Sequence, residues 1–73
     1  MGKLPSVSGW ECIKALQKAG FEVKRQRGSH VVLRRANPLT QLTVPDHKEL
    51  DRGTLRAILR SADISVDDFI ALL

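Results

Sequence analysis

Gly28-Ser29-His30-Val31-Val32-Leu33-Arg34 decides how the chain reads. A glycine turn leads into a short apolar run of strand type, and a histidine stands at its head. Lys24, Arg25 and Arg27 precede it, and Arg34 and Arg35 follow. An imidazole takes and returns a proton near neutral pH. Clustered Lys and Arg attract a phosphate backbone. The combination points to chemistry on a polyanion, RNA foremost, with the rest of the chain as the scaffold that presents this strand.

On either side the pattern continues as strands. Phe21-Glu22-Val23-Lys24 alternates apolar and polar, and Arg27-Gly28 turns the chain into a second strand from Ser29 to Arg34. Ala36-Asn37-Pro38 is the next turn. Gln41-Leu42-Thr43-Val44 alternates again, closed by Pro45. Parity puts Phe21, Val23, Val31, Leu33, Leu42 and Val44 on one face. Glu22, Lys24, His30, Val32, Arg34, Gln41 and Thr43 fall on the other, so the sheet has a covered face and a largely polar open one.

Helices flank the strands. Ser8 with Glu11 forms a capping box, followed by the stripe Cys12, Ile13, Leu16, Ala19, and Gly20 ends the helix. Trp10 falls at the edge of the stripe and reads as a partly covered packing residue. After a loop from Pro45 to Leu50, Asp51 caps a helix over Arg52–Ala62 with Leu55, Ile58, Leu59 and Ala62 inward. Arg52, Arg56 and Arg60 form a ridge along it, open to RNA phosphates, to acidic groups of a partner, or to solvent alone. Ser65 caps a last short helix carrying Phe69, Leu72 and Leu73, whose Asp67 and Asp68 suit the positive end of its dipole. The expected fold is α+β, α-β-β-β-α with a short extra C-terminal helix. Its three-stranded antiparallel sheet has helices on one face, the layout of a double-stranded-RNA-binding domain.

Composition sets bounds. Seventy-three residues make one domain, residues 1–73. The net charge of +4 is uneven: residues 1–35 hold eight Lys/Arg against two Glu, and residues 36–73 hold four against six Asp/Glu. The N-terminal half is thus the anion-facing part. The one cysteine, Cys12, forms no intrachain disulfide and suits a reducing cytosol, so the expected location is cytoplasmic. No apolar run reaches the ~20 residues of a membrane span, and Met1-Gly2-Lys3-Leu4-Pro5 is too short for a signal peptide. Two histidines and one cysteine, scattered, make no zinc site. Ser29 lacks a carboxylate at a spacing that would complete a Ser-His-acid set.

Several pieces in order resemble one family. They are Ala15-Leu16 through Ala19-Gly20-Phe21, Gly28-Ser29-His30, and Val44-Pro45 with His47. Gly53-Thr54-Leu55 with Ile58-Leu59-Arg60, then Ile64-Ser65 and Phe69, complete the set. Together they resemble the small HicA-type mRNA-interferase toxins, also called YcfA-like, across almost the whole chain. The resemblance implies a dsRBD-like fold and an RNase that cuts mRNA and is silenced by a HicB-type antitoxin. It implies His30 as the catalytic residue, with His47 at a second family position. Asp63 departs from the pattern, standing where members often have glycine, at a small expected stability cost and no loss of activity.

Cleavage of RNA without a metal needs a base for the 2′-hydroxyl proton and cations for the charge that builds at phosphorus. His30 is the candidate base, able to return the proton as an acid. Lys24 and Arg34, on its face by parity, are the candidate charge stabilisers, with Arg25 and Arg56 as further RNA contacts and Ser29 and His47 as secondary candidates. His47 reads either as a loop histidine bonded to backbone or as a second acid or RNA contact. No metal and no small-molecule cofactor are expected. The competing expectation is a non-catalytic module that binds duplex RNA by shape and phosphate contacts.

Overall fold

The computed structural model describes residues 3–73. Met1 and Gly2, the head of the expected lead-in, lie outside the described residues. The order is α1 (Gly9–Lys18), β1 (Glu22–Arg27), β2 (His30–Arg35), β3 (Thr40–Pro45), α2 (Arg52–Ala62) and α3 (Val66–Leu72). The strands form one antiparallel sheet in the order β1-β2-β3. This is the α-β-β-β-α-α arrangement the sequence implies.

The helices begin and end where their caps stand. Ser8 and Glu11 close the capping box at α1: the Glu11 N–H donates to Ser8 Oγ at 3.0 Å, and the Ser8 N–H donates to Glu11 Oε1 at 2.8 Å. Asp51 accepts from the Thr54 N–H, and Ser65 from the Asp68 N–H. Two helices end in one motif. The Phe21 N–H reaches back to the Leu16 carbonyl across Gly20, and the Ile64 N–H to the Leu59 carbonyl across Asp63, both at 3.0 Å. The pivot needs a positive φ. Gly20 has 101° and Asp63 has 58°, so the aspartate holds the left-handed place that glycine holds in α1.

The core lies between one sheet face and the helices. Val31, Leu33, Leu42 and Val44 are buried on that face. Against them pack Ile13 and Leu16 of α1, Leu55, Ile58 and Leu59 of α2, and Phe69 of α3. Phe21 and Phe69 are among the largest fully buried side chains, each contributing on the order of 1.5–3 kcal/mol by burial. Cys12 sits in this layer, where burial pushes its thiol from 9.0 up to about 12 and leaves it an inert packing group.

The strands differ from expectation in three ways. β1 runs on to Arg27, and the turn falls on Gly28-Ser29 rather than Arg27-Gly28. Phe21 precedes β1 and is buried as the end of the α1 cap. Val23, expected under the helices, faces Leu33 in register yet stays 36% exposed, because β1 is an edge strand.

Asp63→Gly is expected to raise stability by about 0.5–1 kcal/mol, relief of left-handed strain being partly offset by the extra freedom of unfolded glycine. That is a rise of roughly 2–8 °C in Tm for a domain this size. Thermal unfolding followed by circular dichroism reads it, and an unchanged or lower Tm contradicts it.

Candidate nucleic-acid interface

The register of β1 on β2 builds the site. Glu22 stands opposite Arg34 and Val23 opposite Leu33, but Arg25 stands opposite Val32 and Arg27 opposite His30. Lys24 is the extra residue of a β-bulge. Because side chains alternate, one inserted residue reverses the faces of everything after it. Without it Arg25 and Arg27 would share the side of Val31 and Leu33. With it both join His30 and Val32 on the open face.

Strand parity, which puts Lys24 on that face, does not hold at a bulge. Lys24 reaches the open face by another route: its Nζ lies 2.9 Å from Glu22 Oε1, and Glu22 stands opposite Arg34. That hydrogen bond and the ammonium charge hold the Glu22 carboxyl below the usual carboxylate range. Arg34 is oriented from β3, donating to Gln41 Oε1 through Nη2 at 2.8 Å and Nε at 3.3 Å. The open face therefore gathers Lys24, Arg25, Arg27 and Arg34 against the single carboxylate of Glu22.

His30 heads β2, exposed, with Arg27 on one side and Pro45 on the other. Its place is set by the hairpin turn, where Gly28 supplies the positive φ of 58° that the tight turns of hairpins require. Among the described residues no hydrogen bond or ion pair engages its imidazole or that of His47, so both are available to a ligand. Ser29 sits in the turn rather than in β2, and its carbonyl accepts the Asp46 N–H. That bond fastens the Pro45–His47 loop to the residue just before His30. His47 is exposed in this loop, at the same end of the sheet.

Arg56 and Arg35 are placed apart from this group. Arg56 lies in the helical layer, lining a cleft with Lys3, Arg52 and Asp67 between the lead-in, α2 and α3. Arg35, one of the cations that follow His30 in sequence, turns to the covered side. Its guanidinium lies 4.7 Å from the centre of the Phe21 ring and donates to the Ala62 carbonyl at 3.2 Å and to Thr40 Oγ1 at 3.4 Å. It clamps the end of α2 to the sheet. Its parity with Val31 and Leu33 was the available signal. Arg27 is a cation near His30 by sequence, but its direct pairing with His30 shows only in the register, because β1 runs one residue further than the expected turn. Among the described residues no three His, Cys, Asp or Glu side chains come together as a metal would require. None of the described helices is long and apolar enough to cross a membrane.

The family described as "HicA toxin of bacterial toxin-antitoxin" matches residues 9–64, more than half of the chain. This chain belongs to the HicA toxin family. No curated protein matches it. The HicA match opens at Gly9, the first residue of α1, and closes at Ile64, beyond the cap of α2. It thus spans the whole sheet, the bulge, His30 and the His47 loop. As a toxin of a toxin–antitoxin system, the protein has an antitoxin for a partner.

Deleting Lys24 separates the bulge from the lysine. Without the extra residue, either Arg25 and Arg27 leave the open face or Phe21 and Val23 lose their side. The deletion is therefore expected to weaken RNA binding or to lower Tm well beyond the effect of Lys24→Ala, which keeps the bulge. Filter binding and thermal unfolding of the two variants check this, and equal behaviour in both assays contradicts it.

Proposed function

We propose that this protein is the toxin of a type II pair and cleaves mRNA as a metal-independent endoribonuclease. Its silencing partner is a HicB-type antitoxin, and both act in the cytoplasm. The observation that carries the reading is the placement of His30, an exposed imidazole on an open sheet face, opposite Arg27 and on the side of Arg25 and Arg34.

In this reading the RNA strand lies across β1 and β2. His30 takes the proton of a ribose 2′-hydroxyl as general base. The 2′-oxygen bonds to the adjacent phosphorus, the bond from phosphorus to the 5′-oxygen breaks, and that oxygen leaves with a proton. The products are a 2′,3′-cyclic phosphate and a 5′-hydroxyl end. His47 is the second imidazole of the site and supplies the leaving-group proton. Lys24, Arg25, Arg27 and Arg34 stabilise the negative charge that builds on the phosphoryl oxygens, the work a metal ion does in other nucleases. Ser29 contributes backbone only, through its bond to Asp46. A flat, cationic face suits a polymer held along its backbone better than a small molecule.

The antitoxin, in the same reading, covers the open face and shields His30. Its acidic groups complement Lys24, Arg25 and Arg34, and on the helical layer Arg52 and Arg56.

Expression of the wild type without antitoxin is expected to arrest growth and degrade transcripts. His30→Ala is expected to abolish both while remaining folded, with RNA cleavage in vitro slower by about 10²–10⁴-fold. Wild-type cleavage is expected to persist in excess EDTA. Undiminished toxicity of His30→Ala contradicts the catalytic assignment. Salt-dependent RNA binding with no cleavage product from either protein supports a duplex-RNA-binding module instead.

A further inference from the structure

We infer that Gly9 is a positioning residue for His47: the missing side chain at the start of α1 lets the Pro45–His47 loop close against the helix and sets the second imidazole beside the strand end that carries His30. This rests on the two-histidine reading given above.

Gly9 does not use a positive φ, unlike Gly20 and Gly28, so backbone conformation does not call for glycine there. Space explains the residue instead. A Cβ on Gly9 would sit 2.1 Å from the Pro45 carbonyl oxygen and 3.1 Å from both the Asp46 Cα and the His47 nitrogen. All three are backbone atoms, so no side chain can swing aside to make room. Any other residue has to push the loop away from the helix.

The contact that the glycine permits is a latch. The Gly9 N–H, one of the donors that a helix start leaves unpaired, reaches the His47 carbonyl at 2.8 Å. The His47 N–H turns back to the Pro45 carbonyl at 3.0 Å, and the Asp46 N–H reaches the Ser29 carbonyl at 2.6 Å. Further along, the Leu50 N–H bonds the Val7 carbonyl at 2.8 Å. The loop backbone is thus tied to α1, to the lead-in, and to the residue just before His30. The side chains of Asp46 and His47 nonetheless remain exposed. A fixed backbone carrying a free imidazole is the arrangement that holds a proton carrier at a constant place relative to a second one.

The test is a double-mutant cycle on RNA cleavage, with Gly9→Ala, His47→Ala and the pair, reading kcat and KM separately. Gly9→Ala is expected to lower kcat by about 10–100-fold, the scale of a 1 Å misplacement, with KM little changed. The double variant is expected to be no slower than His47→Ala, because the glycine acts through that histidine. Losses that multiply in the double variant overturn the inference, as does a wild-type kcat for Gly9→Ala or for His47→Ala. His30→Ala, run alongside, reports separately on the nuclease reading: if it cleaves as well as wild type, the reading itself fails. Hydrogen exchange of the wild type decides the matter if Gly9→Ala does not fold. The Gly9 and Asp46 amides are expected to be protected, and exchange at the rate of an open loop overturns the latch.

Discussion

One inserted residue governs which way the cationic side chains point. Strand pairing fixes His30 by its turn and by Pro45, but β1 approaches from an edge with nothing packed over it. Had β1 kept strict alternation, Arg25 and Arg27 would stand on the side that the helices cover. On that side, where Gln26 stands opposite Val31, both guanidinium groups would point away from the imidazole. The bulge at Lys24 resolves this. It keeps Val23 against Leu33 at one end of the strand and turns Arg25 and Arg27 outward at the other. The same insertion concentrates charge around the imidazole.

The helical layer matters to the site through what it excludes. Leu55, Ile58, Leu59 and Phe69 occupy the other sheet face, so α1, α2 and α3 leave the open face unobstructed. Arg35 shows how one residue type serves two ends. Set on the covered parity, it spends its charge on the Ala62 carbonyl and the Phe21 ring. Set on the open parity one residue earlier, Arg34 faces solvent, held by Gln41. Only the second is available to a phosphate.

How legible this was in the sequence depends on range. The helices were readable to within a residue, because Ser8, Asp51 and Ser65 each cap through an N–H three residues on, a purely local event. The covered face of β2 and β3 was readable because Val31, Leu33, Leu42 and Val44 alternate against partners that cannot bury charge. The bulge left no mark, since Lys24-Arg25-Gln26-Arg27 is polar throughout and offers no apolar residue to betray a change of parity. The role of Gly9 was equally hidden, for it depends on a backbone segment some 36 positions away in the chain. His30 was found by type and by neighbours, and its setting opposite Arg27 needed the register.

A nuclease centred on His30 must meet RNA on the open face of the sheet. NMR titration of His30→Ala with a short RNA, reading every backbone amide, measures this directly. The expected shifts fall on Lys24, Arg25, Arg27, Val32, Arg34, Asp46 and His47, and they shrink with added salt. Shifts confined to α1, α2 and α3, with the open face unmoved, would contradict it.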